Sequence, residues 1–140
     1  MNTIFSAIKK LIPPASYLVW WTATLLVFLW FDIEWCLVTS FRPFTHYTSL
    51  YIFLLAAATL FSMPAYFRPG KGGFQLATLL ILGMLLEANL LYCRTYYIQI
   101  PLESYALAGN LKGFTGSVTS SLRWADLLFA VIPVAAYFIC

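Results

Sequence analysis

Phe74–Tyr92 reads FQLATLLILGMLLEANLLY, a run in which only Gln75, Thr78, Glu87 and Asn89 are polar. A helix rises about 1.5 Å per residue and the hydrocarbon core of a bilayer is about 30 Å thick, so roughly 20 such residues cross it. Three further runs share this character: Ala15–Phe31, Tyr47–Phe67 and Trp124–Cys140. Together they predict an all-α integral membrane protein with four transmembrane helices in a single transmembrane domain. Composition agrees. Hydrophobic residues make up 62% of the 140 and charged residues 9%, too little polar surface to cover a water-soluble globule.

The formal charge of +3 comes from residues spread along the chain, chiefly at the ends of the apolar runs. Without a clustered basic stripe, a nucleic-acid partner is not expected. Cys36, Cys93 and Cys140 have neither CxxC spacing nor a histidine at metal-ligand spacing, so they read as small apolar fillers. A bridge between Cys36 and Cys93 would require the two Cα atoms to lie close together. The first run is not a cleaved signal peptide: it carries Trp20, Trp21 and Trp30 and is followed by Asp32-Ile33-Glu34-Trp35 instead of small residues.

Met1–Leu11 reads as an amphipathic lead-in, with Ile4, Phe5, Ile8 and Leu11 at helical spacing beside Lys9 and Lys10. Pro13-Pro14 then opens the first span, which is expected to end near Asp32 and Glu34 because acidic residues are costly in lipid. Arg42-Pro43 is a turn. The second span is expected to stop around Phe67, with Pro64 kinking its last turn. The breakers and basic residues of Arg68–Gly73 then fold the second and third spans into a tight antiparallel hairpin. Lys9, Lys10, Arg68 and Lys71 fall on one side and Arg42, Arg94, Lys112 and Arg123 on the other. The counts tie, but the first group is concentrated in short segments, which predicts a cytoplasmic N-terminus. Trp30, Trp35, Tyr47, Tyr92, Tyr96, Tyr97 and Trp124 form an aromatic belt at the opposite interface.

The 95–121 loop is expected to hold two short interfacial helices. Pro101 starts the first and Gly109-Asn110 ends it. In the second, Phe114, Val118 and Leu122 repeat every fourth residue beside a stripe of small residues, Gly113, Ser117 and Ser121, of the kind that lets membrane helices approach closely.

Glu87 is the outlier among the polar residues. On insertion scales a lipid-facing acid costs about 2.5–3.5 kcal/mol, so Glu87 should face the bundle or a wet cavity. With Asn89 nearby and Arg94 two turns on, it either hydrogen-bonds to a neighbouring helix or loop, or forms a polar site that binds a lipid head group or relays a proton. Arg123 and Asp126, three residues apart, can pair on one helical face. No HExxH, GxSxG or phosphate-binding glycine loop occurs, and the five carboxylates are scattered. His46, the one histidine, reads as an interfacial loop residue. No catalytic, cofactor or metal site is expected in these residues.

The stretch Glu87-Ala-Asn-Leu-Leu-Tyr-Cys-Arg94, then Gly109-Asn110, then Ser117-Val-Thr-Ser-Ser-Leu-Arg-Trp-Ala-Asp126, resembles the membrane region of the lipoteichoic acid synthase family. These are sulfatase-like phosphoglycerol transferases. The resemblance implies a bacterial inner-membrane anchor that orients an extracytoplasmic catalytic domain absent from this sequence. That domain would carry a threonine nucleophile and a manganese site. It further implies phosphatidylglycerol as a lipid partner, with Arg94, Lys112 and Arg123 attracting its phosphate. Because the chain stops within an apolar run at Cys140, a fragment of a longer protein is expected. Two other readings stay open: a small membrane scaffold or subunit for a partner membrane protein, and a lipid or solute carrier built around Glu87. The two halves show no similarity of the kind that carriers often have.

Overall fold

The computed structural model describes residues 13–40, 48–67, 72–97 and 120–140. Four α-helices occur there: α1 (Ala15–Thr39), α2 (Thr48–Phe67), α3 (Gly72–Tyr96) and α4 (Leu128–Ile139), the last preceded by a 3-10 turn over Trp124–Leu127. No strand occurs among the described residues. α1, α2 and α3 are long and apolar enough to cross a bilayer, the signature of a multi-pass membrane protein, while Trp124–Ile139 forms a shorter apolar helix. The lead-in Met1–Leu11, the Arg42-Pro43 turn with His46 and Tyr47, the Arg68–Lys71 loop and positions 98–119 lie outside the described residues. So do Lys112 and both expected interfacial helices, apart from Ser120 and Ser121.

The bundle is apolar inside and out: Trp20, Val27, Leu79, Leu90 and Phe129 form its core, and polar groups are buried among them. Leu18, Leu26, Phe53, Leu60, Met84 and Phe138 are exposed, while Thr24, Glu34, Ser62, Gln75 and Asp126 are buried. Helix hydroxyls bond to the carbonyl four residues back, as Thr24, Thr39, Thr59, Ser62, Thr78 and Thr95 all do. These six hydroxyl donors are thereby satisfied within their own helices.

The ends of the helices differ from expectation in an informative way. α1 does not end at Asp32 and Glu34 but runs on to Thr39, where Ser40 closes it in the left-handed conformation (φ 59°). α3 likewise continues past Tyr92 to Tyr96, closed by Tyr97 (φ 58°). Both extensions carry charged side chains that bury each other, so the cost that should have ended the helices is cancelled by pairing. At the other end, Pro14 caps α1 as the sequence suggests.

α1 forms the centre of the bundle and packs against all three other helices. α2 packs mainly on α1, and α4 lies between α1 and α3. The expected tight hairpin of α2 and α3 is not the dominant contact. Their tie is a hydrogen bond from the buried Gln75 Nε2 to the Phe61 carbonyl at 2.6 Å, beside the break that Pro64 makes in the helical ladder.

α3 and α4 approach closely at Gly83, where a Cβ would fall 2.8 Å from the Phe129 carbonyl oxygen. Pro133 explains why that oxygen is there. Lacking an N–H, it cannot bond to the carbonyl four residues back, which is that of Phe129. The freed oxygen faces Gly83, whose missing side chain leaves room for it in the middle of α3. At the opposite end of α4, the Cys140 thiol contacts the Ser16 carbonyl at 3.8 Å.

Candidate functional site

Charges that the sequence scatters over three apolar runs converge at the end of the bundle where α1 and α3 finish and α4 begins. The Arg94 guanidinium donates from Nη1 and Nη2 to the two oxygens of Asp126, at 2.7 and 2.9 Å. A second bond from Nη2 reaches Glu34 Oε2 at 2.7 Å, and a second from Nη1 reaches the Ser121 carbonyl at 3.2 Å. All three charged side chains are almost wholly buried, at 5% exposure or less. Helix geometry makes this possible. Side chains lean toward the N-terminus of their own helix, so Arg94 reaches back down α3 to the level of the 3-10 turn. The fork of the guanidinium matches a carboxylate two atoms to two, and its remaining donors serve Glu34 and Ser121. Its Nε–H is buried and has no acceptor among the described residues.

The expected Arg123–Asp126 side-chain pair is replaced by a different arrangement. The backbone N–H of Arg123 donates to Asp126 Oδ2 at 2.7 Å, holding the 3-10 turn, while Asp126 gives its charge to Arg94. The Arg123 guanidinium is exposed and approaches Glu34 Oε2 only to 3.8 Å. Thr95 and Ser121 share a hydrogen bond at 3.2 Å, and Trp30 Nε1 donates to the Ala125 carbonyl at 3.2 Å. These contacts fasten the entry of α4 to both α1 and α3.

Glu87 is half-buried and lines a cleft of about 460 Å³ with Arg123, Trp124, Asp126, Leu127 and Ala130. It makes no hydrogen bond or ion pair among the described residues. Asn89 is half-buried on α3 and does not line this cleft. Of the residues singled out from sequence, the structure therefore gathers Glu87, Arg94, Arg123 and Asp126. Glu34 is the member that sequence reasoning missed. Its signal was the apolar stretch Trp35-Cys36-Leu37-Val38, which shows that the helix had not finished.

Cys36, Cys93 and Cys140 are free thiols, the first two buried. Cys36 donates to Asp32, whose other oxygen accepts from Tyr51, at 3.9 and 3.4 Å. Among the described residues no group of three or more His, Cys, Asp or Glu side chains is placed to hold a metal ion.

No protein-family model, no characterised protein and no solved structure matches this chain.

Proposed function

We propose that the chain is the membrane-anchoring module of a phosphoglycerol transferase of the lipoteichoic acid synthase type. In this reading it crosses a bacterial inner membrane four times, with its N-terminus in the cytoplasm, and orients an extracytoplasmic catalytic domain over the lipid head groups. That domain would supply the manganese chemistry, and the chain's own residues would supply position. Phosphatidylglycerol is the lipid this chemistry would consume.

The observation that supports the reading is the buried Glu34–Arg94–Asp126 cluster. It ties α1, α3 and the start of α4 together at the end nearest to the 98–119 stretch, the face on which a catalytic domain would sit. Separating these helices strands a charge in low dielectric, which costs about 3–5 kcal/mol for a broken buried pair. A platform gains from such a clasp. A carrier that must rock its helices apart does not.

The test uses the complete gene product in membranes, with transfer from labelled phosphatidylglycerol as the readout. Arg94→Ala should lower transfer at least tenfold while the released catalytic domain keeps its rate on a soluble surrogate. A coding sequence with no phosphatase-like domain after Cys140, or full transfer by the variant, refutes the proposal.

A further inference from the structure

Among the described residues of the cluster and its cleft, three carboxylates (Glu34, Glu87 and Asp126) meet two guanidiniums; the fourth acid at this end, Asp32, is held apart by Cys36 and Tyr51. Arg94 is consumed by Glu34 and Asp126, and Asp126 is saturated by Arg94 and the Arg123 N–H. What remains facing the cleft is one acid without a partner, Glu87, and one cation with more than half of its side chain exposed, Arg123. Two opposite charges on one cleft wall, neither satisfied by the other, are complementary to a ligand that itself carries both signs.

We propose that the cleft binds the head group of an aminophospholipid, of the phosphatidylethanolamine class, with the phosphate on Arg123 and the primary ammonium on Glu87. Three observations select this class. Among these described cluster and cleft residues the charge is one negative in excess, so a purely anionic head group such as phosphoglycerol would add repulsion, whereas an ammonium answers Glu87 directly. A primary ammonium also donates hydrogen bonds to a carboxylate, which a quaternary choline nitrogen cannot do. Below the cleft, Leu127, Val131 and Val134 are exposed at spacings of four and three, one continuous apolar face of the α4 segment on which acyl chains can lie. Trp124, the most exposed of the large apolar side chains, stands at the mouth as interfacial indoles do.

The depth is consistent with this. Trp30 is level with Ala125, and α1 runs on to Thr39, so α4 begins about 13 Å below the end of α1 at 1.5 Å per residue. A head group can sink beside that recess without leaving polar surroundings. The inference rests on membrane insertion and not on the transferase reading: a selective lipid site needs no catalytic domain, and the transferase assay does not depend on which lipid fills the cleft.

The full chain, purified in mild detergent and exchanged into equimolar dioleoyl phosphatidylethanolamine, phosphatidylglycerol and phosphatidylcholine, is read by native mass spectrometry of the retained lipid. Phosphatidylethanolamine should be retained about tenfold over either competitor, the worth of one charge-assisted hydrogen bond. Glu87→Gln should bring it level with phosphatidylcholine, and Arg123→Ala should lower all three, both variants keeping wild-type helicity and elution volume. Soluble phosphoethanolamine should fail to compete. Phosphatidylglycerol or phosphatidylcholine held as well as phosphatidylethanolamine by the wild-type chain overturns the proposal, and this arm needs no variant to fold. An unchanged preference in a folded Glu87→Gln protein overturns it too. Full displacement by phosphoethanolamine would replace the lipid with a free aminoalkyl phosphate.

Discussion

Arg94 is a side chain whose donors are spent on three different chain segments, and that makes it the most sensitive position in the bundle. Arg94→Ala leaves Glu34 and Asp126 facing each other in a dry pocket and is expected to cost about 3–5 kcal/mol. Arg94→Lys keeps the charge but not the fork. An ammonium cannot meet both oxygens of Asp126 in plane while also serving Glu34, so the lysine variant should fall between alanine and wild type. Adding Glu34→Gln and Asp126→Asn to Arg94→Met should recover part of the loss, because an uncharged cluster strands nothing. Thermal unfolding in detergent, followed by circular dichroism, ranks the four proteins. Equal midpoints for wild type and Arg94→Ala would remove the clasp from the account. At this scale the sequence was legible wherever a charge interrupted an apolar run, which is why Glu87, Arg94, Arg123 and Asp126 stand out. It was illegible where a charge was mistaken for a boundary. Glu34 reads as the end of a span because its partners are Arg94 on α3 and Arg123 just before the 3-10 turn, and no local rule brings those segments to it.

Among elements, the α3–α4 seam depends on a match between a proline and a glycine. Pro133 frees the Phe129 carbonyl, and Gly83 leaves room for it. Gly83→Ala places a methyl group 2.8 Å from a backbone oxygen that has no soft side chain to yield, so the helices must part. The expected cost is about 1–3 kcal/mol, the usual range for overpacking. Gly73→Ala is the control, since a Cβ there meets nothing within 4 Å and the better helix propensity of alanine should leave stability equal or higher. The same unfolding assay separates the two, and equal loss at both positions would show that propensity, not the seam, governs. Apolar length located all four helices. It misplaced the ends of α1 and α3 because length alone cannot see charges that neutralise one another. It also overrated the α2–α3 hairpin: a short connection fixes which ends meet, whereas side-chain packing decides which faces do.

For the molecule as a whole, an apolar exterior with the few polar groups buried implies lipid on every side, and the contacts at the two ends imply alternating direction. Trp30 meets Ala125 at one end and Cys140 meets Ser16 at the other, so Trp124–Ile139 covers much of the same depth as the first half of α1. At about 24 Å for 16 residues, this segment is shorter than a typical hydrocarbon core, and the bilayer must thin locally or let the α4 entry sit in a polar recess. The wild-type cysteines report on this directly. Cys36 and Cys93 are buried and should resist a membrane-impermeant maleimide on either side, while the exposed Cys140 should react. With the N-terminus cytoplasmic and four crossings, Cys140 labels only after the cells are permeabilised. With Cys36, Cys93 and Cys140 changed to alanine, a cysteine at Tyr97 labels in intact cells and one at Phe67 does not. Labelling of Cys140 in intact cells together with that pattern at Tyr97 and Phe67 would mean that α4 fails to cross. Reversal at all three sites would keep the four crossings and invert the protein, placing the clasp and its lipid cleft on the cytoplasmic face.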